Sequence, residues 1–502
     1  MAKYLLSIDQ GTTGSTALVM ALDGRTLGRA TLEFPQHFPE PGWVEHEPEE
    51  IWDSVVGAVK ETLRSAGVPG TDIAAVGMTN QRETTLLWER ATGRALHRAI
   101  VWQDRRTSRR CAELEAAGKR AAVTRTTGLV LDPYFSGTKV EWLLDHVPGA
   151  RARAEAGELC FGTVDSYVVF RLAGGAAARA PHVTDVTNAS RTLLMDLDRR
   201  VWDADMCRLF RVPQAILPRI VPSAGQVAVT HGVPGLPDGV PIAGLAGDQH
   251  AALFGQACFS VGDAKCTYGT GAFLLVNTGS RRVASRSGLL STMAWQVRDE
   301  VAYALEGSVF VAGAAVQWLR DGLGIIGSAT EVEALARNVE TSGGVTFVPA
   351  LAGLGAPYWD ADARGIVTGI TRGTTRAHLA RATLEAVALE VDDVLRAMQS
   401  DRGEPIARLR VDGGAAANDL LMQLQSDFSG VSVERPTELE STARGAAMLA
   451  GVGVGLFPTP AEAAGMRKLD KTFAPGLSAE ERADFRASWE EAVSRARSVK
   501  KG

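Results

Sequence analysis

Two aspartates stand where a carboxylate can do phosphate chemistry. Asp9-Gln10 closes the apolar run Tyr4–Ile8 and opens Gly11-Thr12-Thr13-Gly14-Ser15. Asp248-Gln249 closes Pro241–Gly247, and Tyr268-Gly269-Thr270-Gly271-Ala272 follows it. A carboxylate at a strand end, beside small residues with free N–H and O–H groups, suits metal-bound phosphate. Its occurrence twice predicts two related domains with a nucleotide between them. Gly11 permits a tight turn, Thr12 and Thr13 offer hydroxyl and amide donors, and Asp9 would hold Mg²⁺ directly or through water. Thr270, set in a hairpin between two glycines, gives a matching clamp from the other half. Gly413-Gly414 precede a helix start, where open backbone can lie flat against a purine or ribose. The chain has no GxxxxGK[ST] segment, which excludes a P-loop enzyme.

The elements that must carry these residues alternate between strand and helix. Apolar runs at 4–9 and 16–22 predict a hairpin around the Gly/Thr segment, and a third strand fits 26–34. Pro48 opens a helix with Ile51, Trp52, Val55, Val56, Val59 and Leu63 at helical spacing. Residues 73–78 and 99–102 read as strands and 107–117 as a helix. From Pro241 the order is expected to repeat, with strands at 241–247, 264–268, 272–277, 288–296 and 301–306. A long helix at 376–399, a strand at 407–411 and a helix from about Asn418 follow. Ser478 and Glu481 make a capping box for the last helix. The expected fold class is α/β, two ribonuclease-H-like domains with a cleft between them, covering residues 1–254 and 255–502. The segments 147–157 and 173–182 read as surface connections.

At 502 residues the chain is too long for one compact core. A net charge of −5 argues against nucleic acid as a partner, since binding a phosphate strand needs a basic stripe. Five cysteines without CxxC spacing fit reduced thiols better than a disulfide framework or a zinc site. No run approaches the length of a membrane span or a signal-peptide core, so a cytoplasmic location without membrane insertion is expected.

The order of phosphate hairpin, second phosphate hairpin and Gly-Gly segment resembles the sugar-kinase, actin and heat-shock ATPase superfamily. Tyr134–His146 is similar to the first signature of the FGGY carbohydrate kinases, and Gly365–Ile370 with His378-Leu379 and Ala382–Glu385 to the second. Within that family, Asn80–Thr85, Trp102–Arg106, Gly247–Gln249 and Glu306–Phe310 are most similar to members that phosphorylate glycerol. The resemblance runs end to end. It implies ATP and Mg²⁺ as cofactor, glycerol and ATP/ADP as ligands, phosphorylation of glycerol as the activity, and a homodimer or homotetramer. Arg82, Glu83, Tyr134, Asp248 and Gln249 would bind glycerol, with Asp248 also taking the proton of the attacking hydroxyl. The side chains suit a small polyol: Arg82 offers a planar fork of donors, Glu83 accepts, and Trp102, Tyr134 and Phe273 supply an apolar wall. Thr12, Thr13, Gly14, Thr270, Gly313, Gln317, Gly414 and Asn418 would contact the nucleotide. Thr16 stands where such members often carry an arginine that reaches the phosphates, so its part in nucleotide binding is open.

Some members bind fructose 1,6-bisphosphate through a glycine-rich loop ending in arginine; Gly232–Gly239 lacks that cation, so weak or no binding is expected. His231 lies near a position phosphorylated in other members, but without flanking aromatics it reads as a solvated loop histidine. Two alternative functions remain: a family kinase for a ketose or sugar acid such as xylulose, ribulose or gluconate, and a non-catalytic actin-like ATP-binding protein.

Overall fold

The computed structural model describes residues 3–498. Strands β1 (Tyr4–Gln10), β2 (Gly14–Ala21) and β3 (Thr26–Glu33) form an antiparallel meander. Helix α1 (Pro48–Ala66) buries Ile51, Val55, Val59 and Leu63 against β2 and β3 and leads into β4 (Ile73–Asn80), parallel to β1. Helix α2 (Ser136–His146) carries the first signature. β5 (Ala224–Val229) then pairs antiparallel with β6 (Pro241–Gly247), which lies parallel to β4 and runs directly into α3 (Asp248–Gly255).

The second half opens with β7 (Ala264–Tyr268), β8 (Ala272–Gly279), β9 (Leu290–Val297) and β10 (Glu300–Val309). Helices α4 (Gly313–Asp321) and α5 (Arg376–Arg402) follow, then β11 (Arg408–Asp412), α6 (Asp419–Ser429) and β12 (Ser432–Pro436). Helix α7 (Ser441–Gly453), β13 (Leu469–Phe473) and α8 (Ala479–Ala496) complete the chain. The expected capping box starts α8, with Ser478 and Glu481 exchanging side-chain-to-backbone bonds.

These thirteen strands form one sheet in the order β13-β12-β11-β7-β8-β10-β9-β5-β6-β4-β1-β2-β3, and the shorter strands pair outside it. Each half is an antiparallel triple, β1-β2-β3 or β7-β8-β10, with two parallel strands beside its first member. The halves meet between β5 and β9, where one register pair, Ala224 opposite Val297, joins them. This order corrects the expectation that the second half begins at Pro241. By position, β1 corresponds to β7, whereas β6, which carries Asp248 at its end, is the fifth strand of the first half and matches β12. An apolar run ending in Asp looks the same whether the strand is first or fifth; the pairing partners make the difference.

Helix α7 comes late in the sequence but packs on β1, β4 and β6 and crosses α3. The crossing is close because Gly445 lies on the Ala251 carbonyl, which a Cβ there would overlap. Two other expectations change. Only Ala99–Ile100 is strand, paired with Glu45–His46 outside the main sheet, so Trp102 sits in a loop. Residues 150–155 are helical, with Ala150 and Ala154 buried and the rest of 147–157 exposed or half-buried, so the surface connection there is a short helix with one packed edge. Alanine is small enough for either setting, and composition alone could not separate them.

Candidate active site

Strand β4 ends at Asn80, and the chain then makes a tight turn. Thr84 N–H donates to the Arg82 carbonyl at 2.7 Å, and Glu83 at its centre has φ +63°. This positive-φ γ-turn is a costly conformation for a side chain. It is held by Ser136 Oγ and Thr85 Oγ1, which donate to the Glu83 carbonyl at 2.9 and 3.0 Å. Through it the consecutive residues Arg82 and Glu83 enter one charged cluster. Arg82 Nη1 and Nη2 donate to Glu306 at 2.5 and 3.0 Å, and its Nε lies 3.1 Å from Asp248 Oδ1. Arg191 Nε donates to Glu83 Oε1 at 2.6 Å and Nη2 to Glu306 Oε1 at 3.0 Å. Arg82, Glu83, Arg191 and Glu306 are all 3% exposed or less, so two cations and two carboxylates offset one another away from water. Burial pushes the Glu83 carboxyl up despite both guanidiniums, whereas Arg191 and Arg82 overcome burial at Glu306 and hold it well below the usual range.

Arg191 and Glu306 have no part in the sequence-based assignment of site residues. Glu306 stands in a segment that carried the family resemblance, and register puts it at the site: Glu306 faces Leu275 on β8, which faces Lys265 on β7. The neighbouring row is Ser308, Phe273 and Thr267, so Phe273 shares the face that Glu306 presents to Arg82. Arg191 lies in a polar stretch with no motif of its own; its distance from Glu83 in the chain hid it.

Tyr134 Oη accepts from Arg82 Nη2 at 3.4 Å, and Trp102 packs edge-on to the Tyr134 ring at 5.6 Å. Trp102 Nε1 also donates to Thr12 Oγ1 at 2.9 Å, tying the aromatic wall to the first glycine-threonine hairpin. That hairpin is anchored by its carbonyls. Gly11 O accepts from Gln10 Nε2 and Gln81 Nε2 at 2.7 and 3.1 Å, and Thr12 O from Gln36 Nε2 at 2.9 Å. In a planar trans peptide the next N–H points the opposite way, so the Thr12 and Thr13 amides turn from their anchors toward the open side. His46 backs this arrangement, 2.6 Å from Gln36 Oε1 and 3.3 Å from Gln81 Nε2; burial pushes its pKa down to about 3, which keeps it neutral.

Asp9 lies one residue before the end of β1, half-buried, opposite Thr16 on β2. Burial, then the charges of Asp248 and Glu440, push its pKa up to about 8. Gly14 begins β2. The Thr16 hydroxyl is shared with Thr31 at 2.9 Å on the exposed hairpin.

In the second half, the Thr270 carbonyl accepts from Ala312 and Ala314 N–H at 2.9 and 3.0 Å, and Gly269 O accepts from Gly313 N–H at 3.0 Å. Gly313 therefore anchors this hairpin through its N–H, and Gln317 lies exposed one turn further along α4. At the end of β11, Gly413 has φ +85°, and a Cβ there would come 2.5 Å from the Tyr268 carbonyl oxygen. Gly414 has nothing within 4 Å of its Cβ position, leaving bare backbone. Asn418 caps α6, its Oδ1 accepting from Leu421 N–H at 2.9 Å. Away from these groups, His231 pairs with Asp238 at 2.9 Å on an exposed loop.

Two matching half-sheets, glycine-rich hairpins at the ends of β1 and β7 and a carboxylate at the end of β6 make this a two-domain actin-like ATPase fold. The family profile for the N-terminal domain of the FGGY carbohydrate kinases matches residues 4–255, and that for the C-terminal domain matches 264–454. The chain belongs to the FGGY family of carbohydrate kinases. It is 56% identical over 494 residues to a glycerol kinase of Alkalilimnicola ehrlichii, covering 98% of each chain. It is 54% identical over 497 residues to one of Myxococcus xanthus, covering 99% of each. The glycerol kinase of Plasmodium falciparum, solved with ADP, superposes with a TM-score of 0.91 at 35% identity over 98% of both chains. A xylulose kinase from Lactobacillus acidophilus, at 21% identity and a TM-score of 0.85 over 98% of this chain and 97% of its own, shares the fold.

Proposed function

We propose that this cleft transfers the γ-phosphoryl group of ATP to glycerol, giving sn-glycerol 3-phosphate and ADP, the first step of glycerol breakdown. The observation that carries the reading is the joining of the Arg82/Glu83/Tyr134/Asp248 cluster to the phosphate hairpin through the Trp102–Thr12 bond. Full-length similarity to glycerol kinases supports the substrate.

In this reading Arg82, Glu83, Tyr134, Asp248 and Gln249 bind the hydroxyls, and Trp102 and Phe273 cover the C–H face. Asp248 Oδ1 is engaged by Arg82 Nε and by the Gln249 N–H at 2.6 Å, which leaves Oδ2 to take the proton of the attacking hydroxyl. A weak base suffices, because positioning dominates the barrier when the transferring group is loosely bonded. The Thr12 and Thr13 amides, Gly14 and Thr270 hold the phosphates from two sides. Gly313, Gln317, Gly414 and Asn418 shape the adenosine side, and Thr16 borders the phosphates without the usual cation. The halves, divided near residue 255, close on the bound pair and exclude water that would otherwise take the phosphoryl group.

The donor set fits Mg²⁺. Burial and the charges of Asp248 and Glu440 make a bare Asp9 carboxylate costly, a cost that a bound cation would offset, and among the described residues no cluster of three or more metal-binding side chains competes. Mg²⁺ is ordinarily held by one or two carboxylates plus phosphate oxygens and water. Held by Asp9, it would offset charge on the phosphates. A coupled ADP-release assay with glycerol, xylulose, ribulose and gluconate tests the reading. Fast turnover of xylulose without turnover of glycerol refutes it, and the absence of any polyol-dependent ADP release points to the non-catalytic alternative. Size-exclusion chromatography with light scattering tests a homodimer or homotetramer.

A further inference from the structure

Lys265 is fully buried in the middle of β7, where an apolar side chain would be the ordinary occupant. Burying an ammonium is costly unless its protons are used. Here Nζ donates to Gln249 Oε1 and to Thr267 Oγ1, the latter at 2.9 Å. Lysine can only donate, so the amide end that meets it must be the oxygen. Gln249 is 7% exposed, and its Nε2 has no hydrogen-bond partner among the described residues, yet it is not sealed from solvent. In the glycerol-site reading that free NH₂ is the group Gln249, next to Asp248 in the chain, turns to the polyol.

We propose that Lys265 is a positioning residue for the polyol site: it fixes the Gln249 amide with its oxygen turned inward, so that Gln249 meets the substrate as an N–H donor. The proposal rests on the glycerol-site reading above. It divides the labour around the substrate. Gln249 and Arg82 present donors, Glu83 and Asp248 present acceptors, and a hydroxyl, which both donates and accepts, satisfies both kinds. Without Lys265 the amide could turn over and offer its oxygen to a site already rich in acceptors.

Steady-state kinetics on Lys265→Met, Gln249→Leu and the double variant test this. Each single change is expected to raise the glycerol KM about tenfold while the ATP KM stays within about twofold, and the double variant to match the worse single one. Multiplication of the two effects to about 100-fold would mean that Lys265 acts independently of Gln249 and would overturn the proposal. Gln249→Glu supplies a second test that keeps a buried partner for Lys265 while exchanging the cleft-facing NH₂ for oxygen. Its glycerol KM is expected to rise at least about tenfold, and a value within about twofold of wild type would overturn the donor assignment. If the wild type turns over another polyol and not glycerol, the substrate reading falls, and the same cycle run on that polyol still decides the role of Lys265.

Discussion

Arg191→Met is the most informative single change in the buried cluster. The guanidinium is fully buried and contacts Glu83 at 2.6 Å and Glu306 at 3.0 Å. Methionine fills much of the volume but leaves Glu83 with Arg82 Nε at 3.8 Å as its remaining ion-pair contact, the buried Lys139 ammonium lying farther off. Removing one partner from a buried ion network costs about 3–5 kcal/mol. At roughly 2–4 °C per kcal/mol for a unit of this size, the unfolding midpoint should fall by roughly 6–20 °C. The loss should depend on pH. Burial already raises the Glu83 pKa, and losing a cation raises it further. A carboxyl whose folded pKa lies above its unfolded value binds more protons folded than unfolded between the two, so stability falls as pH rises through that window. The gap to wild type should therefore be wider at pH 8 than at pH 5.5. Thermal unfolding at both pH values, with Arg191→Lys as the charge-keeping control, measures this; the glycerol KM at pH 8 should rise at least about tenfold. A midpoint within about 2 °C of wild type at both pH values, with unchanged KM, would refute the reasoning.

Asp248→Asn should cut turnover at least about 1,000-fold with glycerol affinity within about tenfold, because the group acts mainly in the transition state; near-normal turnover would remove Asp248 as base. Trp102→Phe keeps the apolar wall but deletes the bond to Thr12, worth about 0.5–1.5 kcal/mol. Its ATP KM should rise roughly two- to tenfold, and an unchanged value would show that the wall and the phosphate hairpin are not coupled. Gly445→Ala forces a methyl onto the Ala251 carbonyl where α7 crosses α3. A midpoint loss of roughly 5 °C or more is expected, and a stable, fully active variant would contradict the close crossing.

Much of the architecture is legible in the chain because it is local. The alternation of β1 and β2 around Gly11–Thr13, the helical spacing of Ile51, Val55, Val59 and Leu63, and the Ser478–Glu481 box each depend on neighbours a few residues away. The strand over 99–102 shrinks to two residues because its partner, Glu45–His46, is equally short, a limit set by another segment. The place of β6 is hidden in the sequence for the same reason, since its neighbours β4 and β5 are specified by pairing and not by its own residues.

Residue types and motif order alone determined the kinds of chemistry available: carboxylates at strand ends, glycine-rich hairpins, and an Arg-Glu pair with aromatics for a polyol. The tertiary structure decided which of these groups meet. It joined Arg191 to Glu83, Glu306 to Arg82 and Lys265 to Gln249 across separations of 108, 224 and 16 residues. It also showed that Asp9 and Asp248, alike in sequence setting, end strands of different rank in the same half-sheet. The physical reason is that a buried charge is tolerated only where opposite charge or a hydrogen bond reaches it, and the partner comes from whichever strand the sheet places alongside. Spacing in the chain does not encode that distance.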